Sequence, residues 1–436
     1  MSPSPSSHAP TRREFLKSTS ALSATALAAN FAAAPNLYAQ DSQKVLKVGL
    51  VGCGGRGSGA AANALSADKY TKLVAVADVF PEHIESSLRG LKGKKEISAQ
   101  VDVTDDMKFL GLDAYKKVIE NVDVVLLASP PGFRPWHLRA AVEAGKHIFC
   151  EKPMATDAVG VRHAMESVRM AKEKKLSLVA GFCWRYHPEK MALFQQVHDG
   201  AIGDVLGVYG CYLTSPVKPM PPAADRPAGM SDLEWMVRNW YNFTFLSGDG
   251  IVEQAVHTVD WLAWTMKDVM PVSCTALGGR QVPAHGGNIY DHVEINYLWD
   301  NGARGFMAQR QITGCFSETA LRILGTTGIA EITGRGSSIT GENAWRSKPG
   351  DKHDMYELEH QDLFLSIRDG KALNDGDRMM KSTMMAIMGR MAGYTGQQIT
   401  WDQALNSTEN LMPEITSWET PVTVPAIARP GLTKLV

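Results

Sequence analysis

The spacing of apolar positions changes along the chain, and each change predicts an element. Residues 44–51 alternate and then fill with apolar side chains, the pattern of a strand buried on both faces of a parallel sheet. Helical spacing follows at 58–66, and short apolar runs come at 73–78, 122–128 and 146–150, with a helical stretch at 136–144. Strands alternating with helices predict a doubly wound parallel sheet, with ligands at the carboxyl ends of the strands. Residues 178–186 read as one more strand, and Pro188 opens a helix. From strand 206–213 onward the pattern differs. A proline-rich loop at 215–229 precedes alternation at 291–299 and 303–311, which suits an open, largely antiparallel sheet. Helices are expected at 354–368 and 379–394, with a short capped one from Thr400, and 422–436 reads as extended or partly disordered. The expected fold class is α/β: a doubly wound parallel sheet over 44–175, then an α+β domain over 176–420 with the open sheet.

The first strand runs into Gly52-Cys53-Gly54-Gly55-Arg56-Gly57, a GxGxxG opening a helix. Its glycines permit a tight turn and close approach of a pyrophosphate to the helix N-terminus, whose partial charge favours phosphate. The next strand ends in Asp78, roughly 20 residues on, where a carboxylate accepts both ribose hydroxyls and repels a 2′-phosphate. This predicts a Rossmann domain that takes NAD, with NADP the lesser candidate. Glu151-Lys152-Pro153 follows the strand at 146–150, which puts the Lys152 ammonium in the cofactor crevice.

The N-terminus is set apart. Thr11-Arg12-Arg13-Glu14-Phe15-Leu16-Lys17 is a twin-arginine sequence, followed by a small-residue apolar stretch at 21–34 that is shorter than the roughly 20 residues a bilayer span needs. A signal peptide over 1–39 is expected, cut after Ala39 or Ala34, which makes the twin-arginine machinery a partner and the periplasm the destination. Stable membrane insertion is not expected. The chain has 436 residues with 45 Lys plus Arg against 46 Asp plus Glu, so it lacks the basic excess of a nucleic-acid binder. Its 44 % apolar content excludes wholesale disorder. The six cysteines lack CxxC spacing and are expected as buried free thiols, because such a protein folds in the reducing cytoplasm.

Residues 248–266 carry the most informative pattern. At helical spacing Glu253, His257, Asp260 and Trp264 form one stripe, while most other positions are apolar. A helix apolar around most of its girth is buried, so the ionisable stripe is expected to face a cleft. No metal site is expected from it. The aromatic run at 234–245 suits either a sugar platform or a core, and Tyr290-Asp291-His292 is a further candidate for the cleft.

Gly52 to Gly57, Asp78, Ser129-Pro130 with His137, Gly145-Lys146-His147 and above all Glu151-Lys152-Pro153 resemble the glucose–fructose oxidoreductase / inositol dehydrogenase (Gfo/Idh/MocA) family. The resemblance spans nearly the whole chain after the signal peptide. It implies that Gly52, Gly54, Gly55, Arg56, Gly57, Asp78, Ser129, Pro130, His137, Glu151 and Lys152 contact the cofactor. It also implies that Trp184 and Arg185 reach nicotinamide or substrate, and that the open sheet makes a homo-oligomer. The family's D-x-x-x-H pattern stands here as Glu253-x-x-x-His257. The expected chemistry is oxidation of a secondary hydroxyl of a sugar or cyclitol. His257 serves as general base, Lys152 polarises the substrate oxygen, and Glu253 or Asp260 orients the imidazole. An exported enzyme meets no pool of NAD, so the cofactor is expected to be tightly held. Gly54-Gly55-Arg56-Gly57 resembles the family's NAD-dependent glycoside hydrolases, which keeps a redox-neutral hydrolase, lyase or epimerase open. A nucleotide-binding sensor is the non-enzymatic alternative.

Overall fold

The computed structural model describes residues 44–283, 286–347 and 354–436. The expected signal peptide lies outside them. The first sheet is parallel and takes its strands in the order β3-β2-β1-β4-β5-β6. They are β1 (Leu46–Val51), β2 (Thr71–Asp78), β3 (Lys108–Leu110), β4 (Val124–Leu127), β5 (His147–Cys150) and β6 (Leu178–Ala180). In β1 every residue but Lys47 is buried, as its apolar run requires. The helices are α1 (Gly55–Ala67), α2 (Pro81–Lys92), α3 (Ala114–Asn121), α4 (Arg134–Glu143) and α5 (Ala158–Glu173). Alternate residues of the central strands feed different cores: Val124 and Leu126 join one cluster, Val125 and Leu127 the other. That is a three-layer α/β/α arrangement.

The expected strand at 178–186 stops at Ala180. The chain presses there on Glu151, so that a Cβ on Gly181 would sit 2.7 Å from Glu151 Oε2, and Cys183–Tyr186 then forms a 3₁₀ turn. After α6 (Pro188–His198) comes a nine-stranded sheet, ordered β14-β13-β12-β11-β7-β10-β9-β8-β15. Its strands are β7 (Val205–Thr214), β8 (Ser273–Gly279), β9 (His292–Leu298), β10 (Arg304–Gln311), β11 (Glu318–Gly325), β12 (Gly328–Thr333), β13 (Gly336–Gly341), β14 (Trp345–Arg346) and β15 (Ile399–Thr400). β7 and β10 pair parallel and the remaining ladders are antiparallel.

Between β7 and β8 lie α7 (Asp232–Arg238), α8 (Thr244–Ser247), α9 (Gly250–Glu253) and α10 (Val256–Thr265). The chain ends with α11 (Met355–Arg368), α12 (Gly376–Thr395) and α13 (Trp401–Asn406), the last with a Thr400/Gln403 capping box. The methionine-rich α12 is core, and it lies so close on the sheet that a Cβ on Gly389 would meet Ile295 Cδ1 at 2.3 Å. α10 and α12 cover one face of the second sheet. α11 instead completes a layer of the first sheet, where Leu363 and Phe364 join the same cluster as Val48 and Leu50. Residues 45–436 accordingly form one compact unit. Among the described residues no helix is long and apolar enough to cross a membrane. All six cysteines are free; five are buried and Cys315 is exposed.

Candidate active site

The glycine turn is shaped by contacts that exclude side chains. Gly52 has φ +94°, and a Cβ there would meet Ser129 N at 2.7 Å; a Cβ on Gly57 would strike Gly52 O at 1.8 Å. Gly54 and Gly55 have open space above them, and Gly54 caps α1 without a side chain, leaving first-turn N–H groups for an anion. Asp78 stands at the end of β2. Its Oδ2 accepts from Cys53 N (2.6 Å) and its Oδ1 from Phe80 N (2.9 Å), with His83 Nδ1 3.3 Å away. Beside it is an apolar cavity lined by Val51, Tyr115, Pro130, Phe133, His137 and Val237. His137 stacks on Tyr115 at 4.0 Å and its Nδ1 lies 2.9 Å from Ser129 Oγ; burial, helped by Arg134, pushes its pKa down to about 3. An open cradle of N–H groups, a carboxylate and a flat apolar slot fit a dinucleotide.

The adjoining cleft brings Gly54, Arg56, Lys152, Glu253 and His257 together. Lys152, just past β5, donates from Nζ to the Glu253 backbone oxygen (2.6 Å) and to Glu253 Oε1 (2.9 Å); both residues are more than nine-tenths buried. Glu253 thus holds the lysine and not the imidazole. His257 packs against Trp184 (4.9 Å) and edge-on to Phe182 (6.2 Å). Burial, then the Lys152 and Arg56 cations, push its pKa well below the usual imidazole range, so it is neutral at neutral pH. The single expected helix is interrupted: α9 ends at Glu253 and α10 begins at Val256. The intervening Gln254 lines the cleft and donates to Tyr212 Oη at 2.7 Å. Asp249, at φ +91°, caps α9 and accepts from Tyr290 N (2.8 Å) and Tyr394 Oη (2.5 Å), which ties the Glu253 turn to two distant elements.

Several expected positions fall elsewhere. Asp260 is not in the cleft: it accepts from Arg185 Nε and Nη2 and from Ser382 Oγ. Arg185, 4 % exposed, spends its donors on Asp260 and Asp268, because the 3₁₀ turn at Cys183–Tyr186 directs it inward. Trp184 reaches the site through His257 and stacks on Trp261 at 4.0 Å. Tyr290 and Asp291 line a different cavity, beside Lys218 and Tyr241. The aromatic run divides: Phe243 and Phe245 are core, and Trp240 lines the cleft. Among the described residues no cluster of His, Cys, Asp and Glu is placed to hold a metal ion.

Arg56 joins residues remote in sequence. It pairs with Glu151, lies over the Tyr356 ring at 4.6 Å and comes within 3.8 Å of Glu359. Burial alone would raise Glu151, but Arg56, Arg134 and Lys152 outweigh it and hold the carboxyl below its usual range. Glu359 shifts the other way, raised by burial and by Glu151, and its oxygens have no hydrogen-bond partner. Arg134 lies under the lysine turn, donating to the Pro153 carbonyl at 2.6 Å. Sequence reading missed Arg134, Val237, Tyr356 and Glu359. Arg134 at least follows the end of β4 in a Pro-Pro-Gly-Phe-Arg-Pro run; Tyr356 and Glu359 give no sequence signal.

Residues 46–182 match the sequence model of the oxidoreductase family with an NAD-binding Rossmann fold, Gfo/Idh/MocA. The chain is 26 % identical over 344 residues to an inositol 2-dehydrogenase of Rubrobacter xylanophilus, a match covering 76 % of this chain and 85 % of that one. A glycosyl hydrolase family 109 protein of Streptomyces coelicolor is 26 % identical over 171 residues, 40 % of this chain and 34 % of that one. Among solved structures, levoglucosan dehydrogenase with NADH and levoglucosan superposes with a TM-score of 0.64 at 19 % identity, over 82 % of this chain and 99 % of that one. Sheet order, glycine turn and lysine cleft define the class, an NAD-binding Rossmann oxidoreductase. Within it, residues 46–182 carry the NAD-binding domain of the Gfo/Idh/MocA family model, and the inositol 2-dehydrogenase match extends the similarity over 344 residues.

Proposed function

We propose that this protein is an NAD-dependent oxidoreductase that oxidises a secondary hydroxyl of a sugar or cyclitol. The observation that carries this reading is the convergence of Lys152 and a neutral His257 in the cleft that holds the glycine turn. Gly54 to Gly57 and Asp78 would hold NAD, which supplies the hydride acceptor when bound. A neutral His257 accepts the hydroxyl proton. Lys152, fixed by two hydrogen bonds to Glu253, donates toward the substrate oxygen and steadies its developing charge. The Asp78 carboxylate at the ribose position favours NAD over NADP. The relative from Rubrobacter supports a cyclitol or sugar as substrate, as does the mixed cleft wall of Trp240, Gln254 and His257.

The decisive experiment identifies by mass spectrometry the nucleotide released on denaturation, then screens sugars and cyclitols for NADH formation. Lys152→Ala and His257→Ala should each lower kcat/KM by about 10²-fold or more while NAD still binds. Turnover unchanged in both variants would sink the assignment. A redox-neutral glycosidase is the second reading, favoured by the match to the family 109 hydrolase; release of the aglycone without net NADH would select it.

The twin-arginine segment at 11–17 supports export with the cofactor already inside, hence tightly held NAD. Cell fractionation of an Arg12→Lys/Arg13→Lys chain tests this, and an unchanged periplasmic yield would contradict it. The open face of the second sheet supports a homo-oligomer.

A further inference from the structure

The cleft is floored by the carboxyl ends of the first sheet, but residues far along the chain cover it. At the Asp78 end, Val237 of α7 lines the apolar slot, and Trp240 lines the cleft beside it. α7 rests on a separate apolar cluster of Phe80, Leu233, Met236, Val237, Phe243 and Phe245. Residues 407–436 lie over that cluster, contributing Leu411, Met412, Ile415, Trp418, Val422 and Val424. Trp418 stacks on Phe80 at 5.8 Å with the rings 18° apart, and Phe80 N–H is the group that binds Asp78 Oδ1.

This segment has no helix or strand, yet it is cinched into a strap. Ser407 Oγ and Thr408 N–H both donate to the Val436 carbonyl (2.5 and 3.2 Å). Leu411 N–H donates to Asp157 Oδ2 (2.7 Å), and Gly431 N–H to Thr395 O (2.9 Å). The segment at 422–436, read from sequence as extended or partly disordered, is extended and docked. At the other end of the cleft, α11 lays Tyr356 against Arg56. α11 is itself fixed to the first domain by Arg368 on Asp68 and by Asn63 Nδ2 on Asp354 Oδ2 (3.3 Å).

We infer that the strap at 407–436 and the first turn of α11 close the cofactor cleft at its two ends, so that bound NAD leaves only when one of these contacts opens. The inference rests on the NAD reading above and deepens it. It makes retention a property of Trp418 and Tyr356, neither of which is needed for hydride transfer. Release from a roofed cleft is set by local opening of the roof and not by contacts to the nucleotide alone.

The test loads the full chain with isotope-labelled NAD, adds excess unlabelled NAD, and follows retained label by rapid filtration. Wild type should hold label for hours, and Trp418→Ala and Tyr356→Leu should each release it about tenfold faster or more. Circular dichroism melting checks that each variant is folded; if Trp418→Ala is not, Tyr356→Leu, at a half-buried position on the cleft wall, still decides. Loss of label from wild type within seconds, or release at the wild-type rate from the folded variants, overturns the inference while leaving the oxidoreductase reading intact. A chain that takes up no NAD overturns the cofactor reading itself, and this one with it.

Discussion

Two buried ion pairs near the cleft have different jobs, and their surroundings show which is which. Lys152–Glu253 opens onto the cleft, whereas Arg185–Asp260, with both side chains 2 % exposed, is enclosed with Asp268 and Ser382. Removing one partner of an enclosed pair strands a buried charge, which costs about 3–5 kcal/mol. Asp260→Ala combined with Asp268→Ala leaves Arg185 with neither carboxylate and should therefore lower the urea unfolding free energy by that order, and an effect below about 1 kcal/mol would show the cluster is not structural. His257 makes a prediction of another kind. Its pKa is depressed by burial and by two cations, so the basic form persists as pH falls through the ordinary value of about 6.5. The acid limb of kcat/KM should lie clearly below 6.5. A limb at 6.5 that disappears in His257→Ala would mean the imidazole is more solvated than this geometry allows.

Elements in this fold serve sites that their place in the sequence does not announce. α11 follows the second sheet in the chain but packs on the first, and its His360 is fully buried against Phe149 at 4.1 Å with Nδ1 2.7 Å from Tyr356 O. Burial pushes that histidine down to about 4. Between about 6.5 and 4 the unfolded chain takes up a proton there that the folded chain does not, so stability falls as pH falls, by about 1.4 kcal/mol per pH unit. His360→Gln should remove this slope: relative to wild type the variant gains about 3 kcal/mol from pH 7 to pH 4 in urea titrations. Parallel curves for the two proteins would place a charged imidazole at this position. The amphipathic spacing at 354–368 was enough to predict the helix; which sheet it covers was not legible, because apolar stripes carry no address.

At the scale of the molecule, the nine-stranded sheet leaves a face uncovered. Leu277, Phe306, Leu324 and Ile329 are 79, 38, 46 and 40 % exposed, and Leu324 pairs directly with Ile329. Apolar side chains repeated over an open sheet face suit burial against a second copy. Light scattering should return a dimer or tetramer, and Phe306→Glu should shift it toward monomer with the melting profile preserved. A wild-type monomer at working concentration would remove oligomerisation from the proposal.

The amino-acid sequence by itself determined strands β1, β2, β4 and β5 of the first sheet, the glycine turn with Asp78, the lysine after β5 and the placing of Glu253 and His257 on one buried segment. These are local: a buried strand, a turn that excludes Cβ atoms, and a residue at a strand's carboxyl end are specified by neighbours in the chain. What only the tertiary structure decided was the partner of each polar group. Glu253 binds Lys152 because α9 breaks off before α10, Asp260 is taken by Arg185, and Arg56 meets Tyr356 and Glu359 from a helix some 300 residues away in the chain. A buried charge takes whichever opposite charge the packing brings within reach, and packing is a property of the whole fold.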